Sequence, residues 1–385
     1  MRIAIDYTPA VRQGGGVGRY TRGLVDALAR LDIRNEYVLF VAAGGKSEVE
    51  AWRGARFRLP ALPANFTLKP LPLSDRLLAI LWHRLRLPLY IELFTGPVDL
   101  FHSPDFVLPP VRRARRLVTV HDLSFLRLPQ CAEPGLRKYL SKVVPRSIRR
   151  ANLVLADSQS TKRDVVELLG VPEGKVRVVP AGVEARFRPV EDEEELRRVA
   201  ERYGLVRPFI LSLSTLEPRK NFTGLIEAYA RLIGERKIPH KLVIAGGKGW
   251  LYEEIFAAAQ RPGLEGRVIF PGFVDDEDLP ALYSLADLFA FPSLYEGFGL
   301  PPLEAMACGV PVITSNLSSL PEIVGRAGIM LEPDDTEGLA EAMGEALQDE
   351  ALRRRMIAEG LEQAKKFTWE EAAEKLLETY LKSWP

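Results

Sequence analysis

Two glutamates with seven residues between them stand in Glu296-Gly-Phe-Gly-Leu-Pro-Pro-Leu-Glu304. An apolar run, Leu288 to Ser293, precedes the first and reads as a buried parallel strand. A helical pattern follows from Pro302 to Cys308, with prolines in its first turn, where no backbone donor is missed. The glutamates therefore flank a strand-to-helix turn. Gly297 and Gly299 let the backbone approach a ligand closely. The open amides at the helix start, near Phe298, Gly299 and Leu300, suit an anion such as a phosphate. A carboxylate beside such a site suits sugar hydroxyls. An acidic helix start would explain the acids alone, but not the glycines and prolines among them.

The same logic applies to Thr215-Leu-Glu-Pro-Arg219-Lys220-Asn221, which follows the apolar run Phe209–Ser214. A helix pattern runs from Phe222 to Ile233, with Asn221 as its expected N-cap. Two cations between a strand end and a helix start can clamp a pyrophosphate. The plain alternative is a basic surface turn. His121 closes the run Leu117–His121, at a strand end where open α/β sheets place ligand groups. A structural histidine is the competing reading there. His102-Ser103-Pro104 sits at another strand end. His83, His102 and His240 lack the spacing of a metal cluster. Phe273 and Val274 follow the strand Val268–Phe270 and are placed to meet a nucleobase.

These residues need a scaffold of strand ends. Arg2–Tyr7, Glu36–Ala43, Leu100–Ser103, Leu117–His121, Leu153–Asp157 and Val176–Pro180 read as parallel strands separated by helices. A glycine-rich loop, Gln13 to Gly18, leads from the first strand into a helix through Leu24, Val25, Leu28 and Leu31. It fails the dinucleotide fingerprint: Arg19 stands where the third glycine of G-x-G-x-x-G belongs, and the loop begins several residues past the strand. What remains is a surface loop, or a backbone wall at Gly15 and Gly16 closing over a phosphate or sugar. A composition change near 183–190 marks a linker. The pattern then restarts with a helix Glu193–Tyr203 and strands at Phe209–Ser214, Lys241–Ala245, Val268–Phe270, Leu288–Phe291 and Pro311–Thr314. Helices at Thr336–Leu347, Ala351–Lys366 and Trp369–Leu381 end it. Repeated β-α units predict an α/β fold of two doubly wound, Rossmann-like domains, 1–184 and 185–368.

With 385 residues, 47% hydrophobic and 27% charged, the chain has the make-up of a globular protein with a sizeable core. Its only cysteines, Cys131 and Cys308, argue for a reducing compartment and against a disulfide framework or thiolate metal site. Met1 to Asp6 reads as a strand rather than a signal peptide, and no apolar run reaches the ~18 residues of a spanning helix. The expected place is cytoplasmic, with peripheral contact at the inner face of the membrane. The formal net charge of +1 hides an asymmetry. Residues 1–184 carry +12 and residues 185–385 carry −11. Leu71–Phe94, read as one or two helices including Leu77–Leu93, carries Arg76, His83, Arg84 and Arg86. Basic runs follow at Arg112–Arg116 and Arg146–Arg150. They are solvated faces or contacts for anionic lipid headgroups. No nucleic-acid module accompanies them.

Together the motifs resemble the retaining glycosyltransferases of family 4, whose fold, GT-B, sets two Rossmann-like domains across a cleft. The resemblance rests on Gly14-Gly-Gly-Val-Gly18, Val120-His-Asp122, Glu217-Pro-Arg-Lys-Asn221 and the Glu296…Glu304 pair, and it spans nearly the whole chain. Within the family the chain looks like the polysaccharide mannosyltransferases that use GDP-mannose. The resemblance implies that Glu304 binds the ribose, and that Glu296 and the backbone after Gly297 contact the donor sugar. Arg219 and Lys220 would neutralise the departing diphosphate. His121 would meet the sugar, and Gly15 and Gly16 the phosphates or acceptor. The last helix, within 369–385, would pack back on the first domain. A glycan or lipid-linked glycan is the implied acceptor. A UDP-sugar transferase, a sugar-nucleotide epimerase, a phosphorylase-like enzyme and a non-catalytic nucleotide-sugar sensor are the alternatives. No cofactor and no metal are expected. Asp276-x-Asp278 reads as the acidic start of a helix, Leu279–Ala286, and the cation pair leaves no need for a divalent ion.

Overall fold

A computed structural model describes residues 1–44 and 62–383. The chain divides into two compact units. The first comprises Met1–Leu126, Pro134–Gly182 and Thr368–Pro385, the second Arg127–Glu133 and Val183–Phe367. The segment Arg127–Glu133 thus departs from an undivided 1–184 domain. Trp250 Nε1 ties it to the second unit by donating to the Cys131 carbonyl at 2.7 Å.

Among its described residues the first unit holds seven parallel strands: β1 (Arg2–Asp6), β2 (Glu36–Ala42), β3 (Phe66–Leu71), β4 (Leu100–Ser103), β5 (Arg115–Val120), β6 (Leu153–Ala156) and β7 (Val176–Val178). Their order is β3-β2-β1-β4-β5-β6-β7. The central strands are apolar runs because helices cover both faces of the sheet. β1 sits between β2 and β4, with Ile3 opposite Tyr37 on one side and Leu100 on the other. β3 escaped the sequence reading. It is a half-exposed edge strand carrying Lys69 and Pro70, and an edge tolerates proline. The C-terminal helix, Trp369–Ser383, packs on the helix Gly16–Leu31. Tyr20 and Trp369 meet edge to face at 5.8 Å, and the Tyr380 hydroxyl lies 2.7 Å from His102 Nδ1.

One long helix at Leu77–Leu93 does not form. The chain makes a short α-helix (Asp75–Ala79), a π-turn (Ile80–Arg84), an irregular stretch and a second short helix (Glu92–Thr95). Arg86 takes a left-handed backbone at φ 56° and Pro88 follows, and neither continues a helix.

The second unit has six parallel strands: β8 (Phe209–Leu213), β9 (Lys241–Ala245), β10 (Val268–Gly272), β11 (Leu288–Phe291), β12 (Val312–Ser315) and β13 (Ile329–Leu331). They run in the order β10-β9-β8-β11-β12-β13. Ile210, Leu242, Leu288 and Ile313 from four of them join Leu225 and Tyr229 of the helix Phe222–Glu235 and Met343 of the helix Thr336–Gln348 in one core. Each sheet reverses its winding once, between β1 and β4 and between β8 and β11. In such sheets ligands bind beyond the carboxyl ends of the strands at the reversal.

Candidate active site

The reversal of the second sheet gathers the predicted charges. β8 leads into a 3₁₀ turn, Pro218–Lys220, and β11 leads through Ser293 to Glu296. Lys220 Nζ lies 2.6 Å from Glu296 Oε1, and Arg219 donates to Glu296 Oε2 at 3.0 Å. Arg219 also donates to Glu217 Oε1 at 2.7 Å and to the Tyr295 carbonyl at 2.6 Å. Ser293 Oγ donates to Glu296 Oε1 at 2.6 Å. Glu217, Lys220 and Glu296 are 2%, 7% and 7% exposed, so this is a buried ionic cluster rather than a basic surface turn. Burial alone would raise the pKa of Glu296. The charges of Lys220 and Arg219, with the hydrogen bonds from Lys220 and Ser293, outweigh it and hold the carboxyl down at about 2. Burial, and then the neighbouring Arg219 charge, lower the pKa of Lys220. The two cations thus face Glu296 here, and an incoming diphosphate would compete with that carboxylate for them.

Asn221 stands at the expected N-cap position, and its carbonyl accepts from the Leu225 amide at 3.0 Å, but its side chain does not cap the helix. It adopts a left-handed backbone at φ 55°, and its side-chain amide donates to the Pro333 carbonyl at 2.7 Å. The turn instead fastens the clamp to the loop after β13.

The helix expected from Pro302 runs from Leu300 to Ala307, with prolines in its first turn. Gly299 before it sits at φ 116°, and a Cβ there would lie 3.0 Å from Leu320 Cδ2. Only glycine fits that turn. Two serines from the turn between β12 and the helix Leu320–Val324 pin the loop. Ser318 Oγ accepts from the Glu296 amide at 2.8 Å, and Ser319 Oγ donates to the carbonyls of Glu296 and Phe298 at 3.0 and 2.5 Å. Gly297 and Phe298 are buried, and Phe298 meets Phe367 edge to face. Glu304, mid-helix, is 1% exposed and accepts from the Tyr283 hydroxyl at 3.0 Å. Of the two residues placed near a base, Phe273 is 46% exposed and Val274 is buried, so a stacking face falls to Phe273.

Asp278 is 1% exposed and already neutralised. Arg198 and Arg202 reach it at 2.8 and 2.7 Å, and the Tyr203 hydroxyl at 2.8 Å. The expected acidic helix start is a 3₁₀ turn, Asp276–Asp278, ahead of the helix Leu279–Leu285. Among the described residues, no cluster of three or more histidine, cysteine or acidic side chains could hold a metal ion.

In the first unit His121 follows β5 and engages through both ring nitrogens. Nδ1 lies 2.6 Å from Asp157 Oδ2 and Nε2 lies 2.6 Å from the Pro104 carbonyl. Burial would lower its pKa. The charge and hydrogen bond of Asp157, then Asp105 and the Pro104 carbonyl, raise it to about 9. The ring is therefore an imidazolium at neutral pH, donating from both nitrogens. His102 is fully buried between Tyr380 and Thr119, and burial with the His121 charge pushes it down to about 3, which makes it structural. Gly15 and Gly16 begin the helix Gly16–Leu31, and a Cβ at either meets nothing within 4 Å. The steric demand falls on Gly18, where a Cβ would lie 1.9 Å from the Gln13 carbonyl oxygen. Gln13 Nε2 donates to Asp105 at 2.9 Å, which links the glycine loop to the His121 cluster.

Asp105 and Asp157 escaped the sequence reading, although Asp157 follows β6 as His121 follows β5. A carboxylate and an imidazole at neighbouring strand ends were the available signal. The raised pKa of His121 contributes stability that is complete below its unfolded value near 6.5 and is lost as pH rises through about 9. Urea stability should therefore fall between pH 6.5 and 9 in the wild type and run flatter in His121→Gln. Parallel profiles would remove the imidazolium from the account.

The profile of "Glycosyltransferase Family 4" matches residues 14–187, and that of "Glycosyl transferases group 1" matches residues 193–363. The chain is 33% identical over 396 aligned residues to the O-antigen chain mannosyltransferase B of Escherichia coli, covering 99% of both proteins. It is 32% identical over 264 residues to a GDP-mannose-dependent alpha-(1-6)-phosphatidylinositol monomannoside mannosyltransferase of Mycolicibacterium smegmatis, covering 64% of this chain and 65% of that one. Among solved structures, a sucrose-phosphate synthase from Thermosynechococcus elongatus superposes with a TM-score of 0.74 at 23% identity, covering 99% and 98% of the two chains. The two sheets with their strand-end charges and the full-length match lead to one assignment: the chain belongs to glycosyltransferase family 4 and is a GT-B-fold glycosyltransferase.

Proposed function

We propose that the enzyme transfers mannose from GDP-mannose to a glycan or lipid-linked glycan, with retention at the anomeric carbon. The observation that carries this reading is the Arg219–Lys220 pair beside Glu296 at the reversal of the second sheet. Cations held there in advance stabilise negative charge as it grows on a departing diphosphate. Glu304 takes the ribose, the backbone from Gly297 to Leu300 the donor sugar and phosphates, and Phe273 stacks on the base. His121 presents fixed positive charge, and Gly15 and Gly16 leave room for phosphate or acceptor. The full-length relative with a mannosyltransferase name supports the sugar, and the GDP-mannose named for the second relative supports the base.

Thermal shift with a panel of nucleotide sugars tests the donor, since a bound ligand raises apparent stability by mass action. GDP-mannose should stabilise the protein and support transfer. Stabilisation by UDP-sugars and not by guanine nucleotides would overturn the donor assignment. The same transfer assay should survive EDTA, because no cofactor or metal is required when the Arg219–Lys220 pair meets the leaving group. Activity lost to EDTA and restored by magnesium or manganese would refute that.

The acceptor reading carries a second expectation. Among the described residues no helix is long and apolar enough to cross a membrane. The first unit nevertheless exposes Leu77, Leu85 and Leu93 near its arginine runs. This face rests peripherally on an anionic membrane, at the inner side for a cytoplasmic enzyme. Sedimentation with anionic liposomes should recover the protein at low salt and lose it at high salt. Equal recovery in the supernatant at both salts would leave a solvated face.

A further inference from the structure

The first unit contains a cavity of about 440 Å³, within the range of small-molecule sites. Among the described residues its wall carries four arginines, Arg86, Arg146, Arg149 and Arg150, and no carboxylate. Trp82, Tyr90 and Val143 supply apolar surface. The cavity lies at the opposite end of the sheet from His121. Arg150 ends the helix Pro134–Arg150, which feeds β6 at its amino end, and Pro110 precedes the start of β5. His121 and the Gly15 loop follow strands at their carboxyl ends. This is therefore a different place from the site already described.

Arginines in the last turn of a helix are favourable in themselves, because they face the negative end of its dipole. Three further facts exceed that explanation. Arg86 comes from another element and holds a left-handed backbone at φ 56°, uncommon outside glycine. Trp82 and His83 stand on the π-turn Ile80–Arg84, a rare geometry that recurs at functional sites. Among the described residues none of the four arginines forms an ion pair. Trp82 is fixed as a wall, since Nε1 donates to the Leu89 carbonyl at 2.8 Å. Burial, and then the charge of Arg150, push His83 down to about 4, so the ring is neutral beside the arginines. Arg150 itself is spent on backbone, donating to the Pro109 carbonyl at 2.9 Å. Arg86, Arg146 and Arg149 remain to hold an anion.

We propose that this cavity binds a phosphorylated amphipathic molecule, its phosphate held by Arg86, Arg146 and Arg149 and its apolar body against Trp82 and Tyr90. Guanidinium groups match phosphate oxygens two at a time, and the aromatic wall selects an ester with an apolar body over the bare ion. The ligand is a soluble phosphate ester or the headgroup of a phospholipid, and one comparison separates the two.

Phenyl phosphate should bind the full-length protein saturably in calorimetry. Arg149→Glu and Arg146→Glu, both at exposed positions, should each weaken binding roughly tenfold or more, the worth of one charge-assisted hydrogen bond. Arg137→Glu changes the net charge equally on the same helix outside the cavity, and should change binding little. Dihexanoyl phosphatidic acid below its aggregation threshold and vesicles of phosphatidic acid in phosphatidylcholine then give the source. Arg149-dependent binding of the soluble lipid assigns a free ligand. Arg149-dependent binding of vesicles alone assigns a headgroup. Equal losses with Arg149→Glu and Arg137→Glu would show only a solvated basic face and overturn the proposal. Binding lost with Lys220→Ala and kept with Arg149→Glu would overturn it too, by moving the phosphate to the donor site and leaving the transferase reading intact.

Discussion

Lys220→Ala should lower the turnover number by about 100- to 1,000-fold while changing donor affinity far less. The magnitude is that of one charge-assisted donor, roughly 2.7–4 kcal/mol, lost where charge develops in the transition state. Before reaction the diphosphate already carries charge. As the bond to the sugar breaks, more collects on the leaving oxygen, and a cation in place gains interaction as the barrier is climbed. Such an interaction shows in turnover rather than in binding. The structure adds a competing effect. Lys220 is bonded to Glu296 at 2.6 Å, so the alanine variant also strips a buried carboxylate of one partner. Breaking such a pair costs about 3–5 kcal/mol. Arg219 still reaches Glu296 at 3.0 Å, which softens that loss. Melting temperatures therefore accompany the kinetics. The double variant Lys220→Ala/Glu296→Gln removes the stranded charge and should recover stability without recovering turnover. Normal turnover by Lys220→Ala at saturating donor would make Lys220 a binding residue and end the leaving-group account.

Most of the scaffold was legible because both sheets are parallel and covered. Runs such as Leu288–Phe291 or Lys241–Ala245 can hardly be anything but buried strands bounded by turns. β3 and β13 were not legible. One is a half-exposed edge strand with a proline, the other is three residues long, and neither carries a continuous apolar signal. The charges of the proposed donor site were visible as strand-end residues, and β8 and β11 bring Lys220 and Glu296 together as neighbours at the reversal. Their mutual neutralisation was hidden. Nothing in Glu217-Pro-Arg-Lys-Asn221 says that its cations bond a glutamate about seventy-five residues later, because that pairing is made by the sheet order. Asn221 kept its N-cap position but not its side-chain cap: it takes a left-handed backbone, which asparagine tolerates better than most, and its side chain turns to the Pro333 carbonyl. His121 was placed by its strand end, but its imidazolium state depends on Asp157 from the next strand and Asp105 from the loop after β4.

Glu304 should behave in the opposite way to Lys220. Its proposed partner is a ribose, which does not change as the sugar is transferred, so the interaction is equal in ground and transition states. Loss of uniform binding raises the Michaelis constant and leaves turnover near normal. A hydrogen bond to a charged group is worth about 1.5–3 kcal/mol, so the donor dissociation constant should rise roughly ten- to one-hundredfold in Glu304→Ala. The structure refines the choice of variant. Glu304 is 1% exposed and held by the Tyr283 hydroxyl on the helix Leu300–Ala307. Alanine there opens a cavity and leaves that hydroxyl without its acceptor, whereas Glu304→Gln keeps the shape and a carbonyl oxygen. Glutamine should therefore melt close to the wild type and still bind donor weakly, because its NH2 group cannot accept from a ribose hydroxyl as the second carboxylate oxygen does. The same burial means that a ribose reaches the carboxylate only after neighbouring groups shift, so donor binding to the wild type should slow amide exchange in the loop Glu296–Leu300. Steady-state kinetics, donor affinity measured separately and hydrogen exchange with and without donor decide the matter. A Glu304→Gln enzyme that binds donor normally and loses turnover would move Glu304 from holding the nucleotide to the chemical step.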